Sequence, residues 1–162
     1  MTVALDTMCF IYAVDPQSPH HAALRKLLSE SSSGKISIKV SRHTLMELSR
    51  KPDSALALAQ GVEPLPYWPI GTIAELVRQI RDLSGTWHDA SQNEMLQQRM
   101  QTLAKAGISI HDKGAYLDAV LSRVDVFVTY DCDFIKEGQS KVEETFGVPI
   151  LSAEALVERL RL

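Results

Sequence analysis

Positive charge is what this sequence has too little of. Lys and Arg total 17 against 20 Asp and Glu, leaving a net charge of −3. That excludes a protein that holds nucleic acid by a global basic field. A nucleic-acid partner would need a local patch, or a cation between protein and phosphate. Cysteine is nearly absent: there are only Cys9 and Cys132, with no CxxC and no Cys/His spacing suited to zinc. Both are expected to be small buried hydrophobes, in a reducing cytoplasm. No apolar run approaches the roughly 20 residues of a membrane-spanning helix. The opening apolar run meets Asp6 almost at once, so no leader segment is expected. Repeats, low-complexity tracts and linkers are missing too. What is there is core material: 45% of the 162 residues are apolar, enough for one domain over 1–162.

Strand-like and helix-like segments alternate. Thr2–Leu5, Ile36–Val40, Val126–Thr129 and Pro149–Leu151 are expected strands. Leu65–Ile70 is extended, and its prolines suit an edge. Met8–Val14, Arg42–Arg50, Ala55–Ala59, Asp112–Val124 and Ala153–Arg161 are expected helices, with Ser41 and Ser152 as caps. Ser18-Pro19 has the form of a helix start, the stripe Leu24, Leu27, Leu28 follows, and Ser31–Gly34 ends it. Capping boxes at Thr72–Glu75 and Ser91–Glu94 open a helical elaboration around 72–106. The alternation predicts an α/β protein: an α/β/α sandwich with a central, mainly parallel sheet and helices on both faces.

Four carboxylates stand at apolar-flanked places. Asp6 follows the strand Thr2–Leu5, and Asp131 follows Val126–Thr129. Glu47 lies on the helix after Ser41, and Asp112 opens a helical segment. An acid just past a buried parallel strand lies at the strand's carboxyl end, where α/β proteins place their sites. Several acids gathered there repel one another unless a cation joins them. Thr7 and Thr129 could orient the two strand-end acids. Each acid alone could instead be a cap or turn residue.

These residues resemble the PIN domain family, particularly the small prokaryotic VapC-like ribonucleases. "VALDTMCFIYAVD" is similar to the family's strand, Asp, Thr/Ser and apolar helix. "VSRHTLMELSR" is similar to its S-x-x-T-x-x-E block, with Glu47 as the glutamate. "HDKGAYLDAVLSRVDVFVTYDCDF" is similar to its third block, where an Asp opens a helix and a strand ends in Thr-x-Asp. The resemblance covers about residues 2–151. For the third acid, Asp112 lies 17 residues before Thr129 (129 − 112) and matches the family spacing. Asp118 is the rival, read as a solvated helix residue. Gly114 and Tyr116 depart from the family pattern.

The resemblance implies a metal-dependent endoribonuclease hydrolysing RNA phosphodiester bonds. Asp6, Asp112 and Asp131 would be the ligands of Mg²⁺ or Mn²⁺, one ion or two, and Glu47 would either ligate through water or help orient the attacking water. Asp133 would have at most a supporting role. Arg42, Arg50 and Lys51, in a basic stretch with Lys35 and Lys39, would position substrate by backbone contact. His43 and His111 are expected to be surface or capping residues, and Trp68 and Trp87 to be packing residues. The expected partners are RNA, an antitoxin protein in a toxin version, and a second copy in a homodimer, with no membrane. The alternative is a PIN-fold module that binds RNA or protein without cleaving. A response-regulator-like fold is a weaker rival, because its acidic pair and closing Lys are missing.

Overall fold

The computed structural model describes residues 1–66, 114–131, 143–144 and 146–162. The elements, in chain order, are β1 (Thr2–Leu5), α1 (Thr7–Val14), α2 (His21–Ser32), β2 (Ser37–Val40), α3 (Arg42–Leu48) and α4 (Asp53–Gln60). There follow β3 (Glu63–Pro64), α5 (Gly114–Leu121), β4 (Val126–Val128), β5 (Ile150–Leu151) and α6 (Ala153–Leu160). The five strands form one sheet in the order β3-β2-β1-β4-β5, and every pairing is parallel. The elaboration at 72–106, with its capping boxes and Trp87, lies outside the described residues. So do Trp68, His111, Asp112, Cys132 and Asp133.

Alternation along the strands sorts the core into two layers. Val3, Leu5, Val126 and Val128 face one side with Ile38 and Val40, packed against Phe10, Leu24, Leu27, Leu48, Ala55, Ala59 and Leu156. Ala4, Phe127 and Ile150 face the other, against Ala115, Tyr116, Leu117 and Ala119 of α5. Strands buried on both faces are near-continuous apolar runs, as β1 and β4 are. Each fully buried Leu, Val or Phe contributes roughly 1.5–3 kcal/mol through lost water contact. Helices thus cover both faces, which makes the architecture the expected α/β/α sandwich.

One local expectation is corrected, and the run Leu65–Ile70 lies outside the described residues from position 67 on. Ser18 does not cap α2. Its Oγ accepts the His20 N–H at 3.2 Å and its carbonyl accepts the His21 N–H, so Ser18–His20 is a turn and the helix starts at His21. The edge strand is Glu63–Pro64, just ahead of the expected extended run. Pro64 tolerates that place because one side of an edge strand needs no ladder donor. Ser41 and Ser152 do cap, accepting the Thr44 N–H at 3.0 Å and the Ala155 N–H at 3.2 Å.

Candidate functional site

The chain runs from β1 outward to β2 and β3, then returns to the other flank of β1 as β4 and β5. The strand order therefore reverses between β1 and β4. In open parallel sheets the crevice beyond the carboxyl ends at such a switch is where ligands bind. Asp6 leaves β1 and Asp131 leaves β4 on that side.

Asp6 is held three ways. Its N–H donates to the carbonyl of Val128 at 3.0 Å, extending the β1–β4 pairing. Its Oδ1 accepts the Thr7 N–H at 2.7 Å, at the head of α1. Its Oδ2 accepts the Thr129 hydroxyl at 2.7 Å. The same Thr129 oxygen accepts the Asp131 N–H at 3.0 Å, so one buried hydroxyl ties both strand exits together. Thr7, also buried, donates its hydroxyl to Oε2 of Glu47. That bond brings the exposed end of α3 to the same mouth. Asp6, Glu47 and Asp131 are thus connected through two threonines.

The electrostatics are costly. Burial pushes the Asp6 carboxyl up from 3.8 to about 6; the Thr129 and Thr7 bonds oppose this, and the charges of Glu47 and Asp131 add to it. Cys9, buried and donating to the Val128 carbonyl at 3.2 Å, has its thiol raised by the same burial and by Asp6. It is the small buried hydrophobe expected. Among the described residues, no three His, Cys, Asp or Glu side chains converge closely enough to hold an ion, and Asp112 lies outside them.

Asp118 is not the solvated residue expected. Its side chain is 3% exposed, and its Oδ2 lies 3.0 Å from Nδ1 of His43. His43 is accordingly neither a cap nor a free surface residue. The sequence signal was available: Asp118 stands in the apolar run Ala115–Val120, where a solvated face has no room. The basic stretch divides. Lys35 pairs with Glu30 at 2.6 Å and Lys39 with Glu63. Arg50 and Lys51 are exposed beyond the end of α3, and Arg42 is exposed at its start.

Sequence reasoning also missed an aromatic brace beside Asp131. Tyr130 stacks on His20 with ring centroids 3.9 Å apart and meets Tyr12 edge-on. Its hydroxyl donates to Glu154 at 3.1 Å, which also holds His20 at 2.9 Å. These residues come from four separated segments, so no local pattern announces them. A cleft of about 920 Å³ lies at the opposite end of the sheet, lined by Met1, Arg25, Ser29, Lys35 and Ser37. It surrounds strand beginnings and is remote from the acids.

Family models, curated proteins and solved structures contain no match to this chain. Among the described residues no helix is long and apolar enough to cross a membrane.

Proposed function

We propose that this chain is a PIN-type, metal-dependent endoribonuclease that hydrolyses RNA phosphodiester bonds with Mg²⁺ or Mn²⁺. The observation that carries this reading is the pair Asp6 and Asp131, placed at a switch point and both tied to the Thr129 hydroxyl. The donor set fits such an ion. Its groups are hard carboxylate oxygens, which suit Mg²⁺ or Mn²⁺ over zinc. Burial and the nearby charges of Glu47 and Asp131 disfavour the ionised form of Asp6, a cost that a cation would offset.

Asp6 and Asp131 would hold the ion together with Asp112. Asp118 is not a ligand in this reading, because its carboxylate is buried and committed to His43. When bound, the ion would supply charge for the scissile phosphate and acidity for an attacking water. The chain's own groups do the rest. Thr129 holds the Asp6 carboxylate and the backbone of Asp131 at one hydroxyl. Thr7 fixes Glu47, which accepts a hydrogen bond from the attacking water and aims it. Arg50 and Lys51 meet flanking phosphates as backbone contacts. A toxin role with an antitoxin partner, and a homodimer, extend the same proposal.

The test is cleavage of mixed single-stranded and structured RNAs with Mg²⁺ or Mn²⁺. Wild type cleaves, and Asp6→Asn and Asp131→Asn each lower the rate by about 100-fold or more. Asp112→Asn behaves like them, while Asp118→Asn, which removes no ligand, loses far less. Equal rates in wild type and the two strand-end variants would refute the reading. Wild type that binds RNA but cuts none with either metal would instead be the non-cleaving PIN-fold module.

A further inference from the structure

His43 stands four residues before Glu47 on α3, so the two side chains share one face of that helix. Helix α5 is fitted to it twice. Asp118 reaches Nδ1, and Gly114 lies against the ring. A Cβ on Gly114 would stand 2.4 Å from Cδ2 and 2.8 Å from Nε2 of His43, so any other residue there would displace the imidazole. The glycine that departs from the family pattern thus has a local reason.

A buried carboxylate bonded to Nδ1 sets the proton on that nitrogen and fixes the ring plane. The His43 side chain remains 31% exposed, and among the described residues Nε2 has no hydrogen-bond partner. The second oxygen of Asp118, Oδ1, is buried and likewise without a partner. Burying a carboxylate and leaving half of it unsatisfied is an expensive way to join two helices, since apolar contacts would join them at lower cost. It is a reasonable way to hold a half-exposed imidazole charged. The hydrogen bond from Asp118 raises the His43 pKa; burial opposes it, the charges of Asp118 and Glu47 add to the rise, and Arg42 opposes it.

We propose that His43 contacts substrate, its Nε2–H donating to a phosphate oxygen of single-stranded RNA at the mouth beside Glu47, with Asp118 as its positioning residue. The substrate class rests on the ribonuclease reading. The contact itself rests on the geometry of α3 and α5. It supplies a cation on the acidic side of α3, where a phosphate would otherwise meet the charges of Glu47, Asp6 and Asp131.

The experiment is binding of a short single-stranded RNA by fluorescence anisotropy in EDTA, between pH 5.5 and 8.5. The proteins are wild type, His43→Gln and Asp118→Asn, each checked for folding by circular dichroism. Asp6 titrates in the same range, so the decisive quantity is the difference from wild type. His43→Gln is expected to bind about tenfold more weakly at pH 6. Its slope of log affinity against log salt falls by about 0.7, one phosphate contact. The gap to wild type narrows as pH rises to 8.5. Asp118→Asn moves the loss of affinity to lower pH, which a merely structural role would not do. Should Asp118→Asn fail to fold, Gly114→Ala displaces the ring and gives the His43→Gln behaviour. Equal affinity, salt slope and pH profile in wild type and His43→Gln overturns the inference, as does wild type that binds no RNA. If wild type cleaves nothing yet shows this pH-dependent binding, only the nuclease reading falls. If cleavage depends on Asp6 while His43→Gln keeps the wild-type KM and pH profile, only the His43 inference falls.

Discussion

Asp6 concentrates the conflict between stability and site. Its carboxyl, ordinarily at 3.8, sits at about 6 in the fold. The folded chain therefore binds a proton more tightly than the unfolded chain between those values. Stability then falls as pH rises through that window and stays lower above it. Two pKa units correspond to about 3 kcal/mol, partly screened because Asp6 is not fully enclosed. Asp6→Asn removes that cost but gives up one accepted bond, because Thr7 N–H and the Thr129 hydroxyl meet different oxygens and the amide nitrogen that replaces one of them cannot accept. We expect Asp6→Asn to be more stable than wild type by about 1–2 kcal/mol at pH 7.5 in EDTA, with the gap closing by pH 4. Urea unfolding at the two pH values measures it, and a variant less stable than wild type at pH 7.5 would refute the account. At this scale the sequence was uneven. The positions of Asp6, Glu47 and Asp131 follow from their flanks. The burial of Asp118 was legible only in its apolar neighbours, and its partner His43, 75 residues away, was not legible at all. A long-range pair leaves no periodic trace.

Helix ends explain which boundaries could be read. Three helices close with the same paired bonds, in which the left-handed residue and its successor donate back into the last turn. At α2 the left-handed residue is Gly34, φ +77°, with Gly34 N–H to Ser31 and Lys35 N–H to Glu30. The break expected at Ser31–Gly34 is where it should be. At α5 and α6 the same place is held by Arg123, φ 53°, and Arg161, φ 54°. Their bonds run to Val120 and Glu158, and those of Val124 and Leu162 to Ala119 and Val157. No glycine marks these ends, so the expected helices overran, α5 to Val124 and α6 to Arg161. An L-residue held there is strained. Arg123→Gly should therefore raise stability by about 0.5–1 kcal/mol, after allowance for glycine's freer unfolded chain. Gly34→Ala should lower it by a similar amount, since a Cβ there meets no atom and only φ is at stake. Urea midpoints with unchanged slopes test both, and a destabilised Arg123→Gly would overturn the reading of that end.

Across the whole molecule, the placement of the acids is a consequence of chain order. Because β4 returns beside β1 and not beyond β3, the carboxyl ends of β1 and β4, with Asp6 and Asp131, stand side by side at the switch point. Strand alternation in the sequence was sufficient to expect the sheet. The reversal was not legible, since pairing between segments more than 100 residues apart is set by packing of both core layers together. A ligand seated there bridges the two halves of the sheet, joining the β1–β2–β3 side to the β4–β5 side. It should stabilise the fold as a unit by mass action. At ten times its dissociation constant, Mg²⁺ or Mn²⁺ should add about 1.4 kcal/mol, raising the melting temperature by roughly 2–5 °C for a chain of this size. Asp6→Asn and Asp131→Asn should each abolish that shift. The double variant should lose no more than either single one, because both changes remove one shared event. Differential scanning calorimetry with and without the metal gives the answer. A shift of equal size in wild type and Asp6→Asn would place the ion elsewhere on the molecule and remove the switch-point crevice from the proposed chemistry.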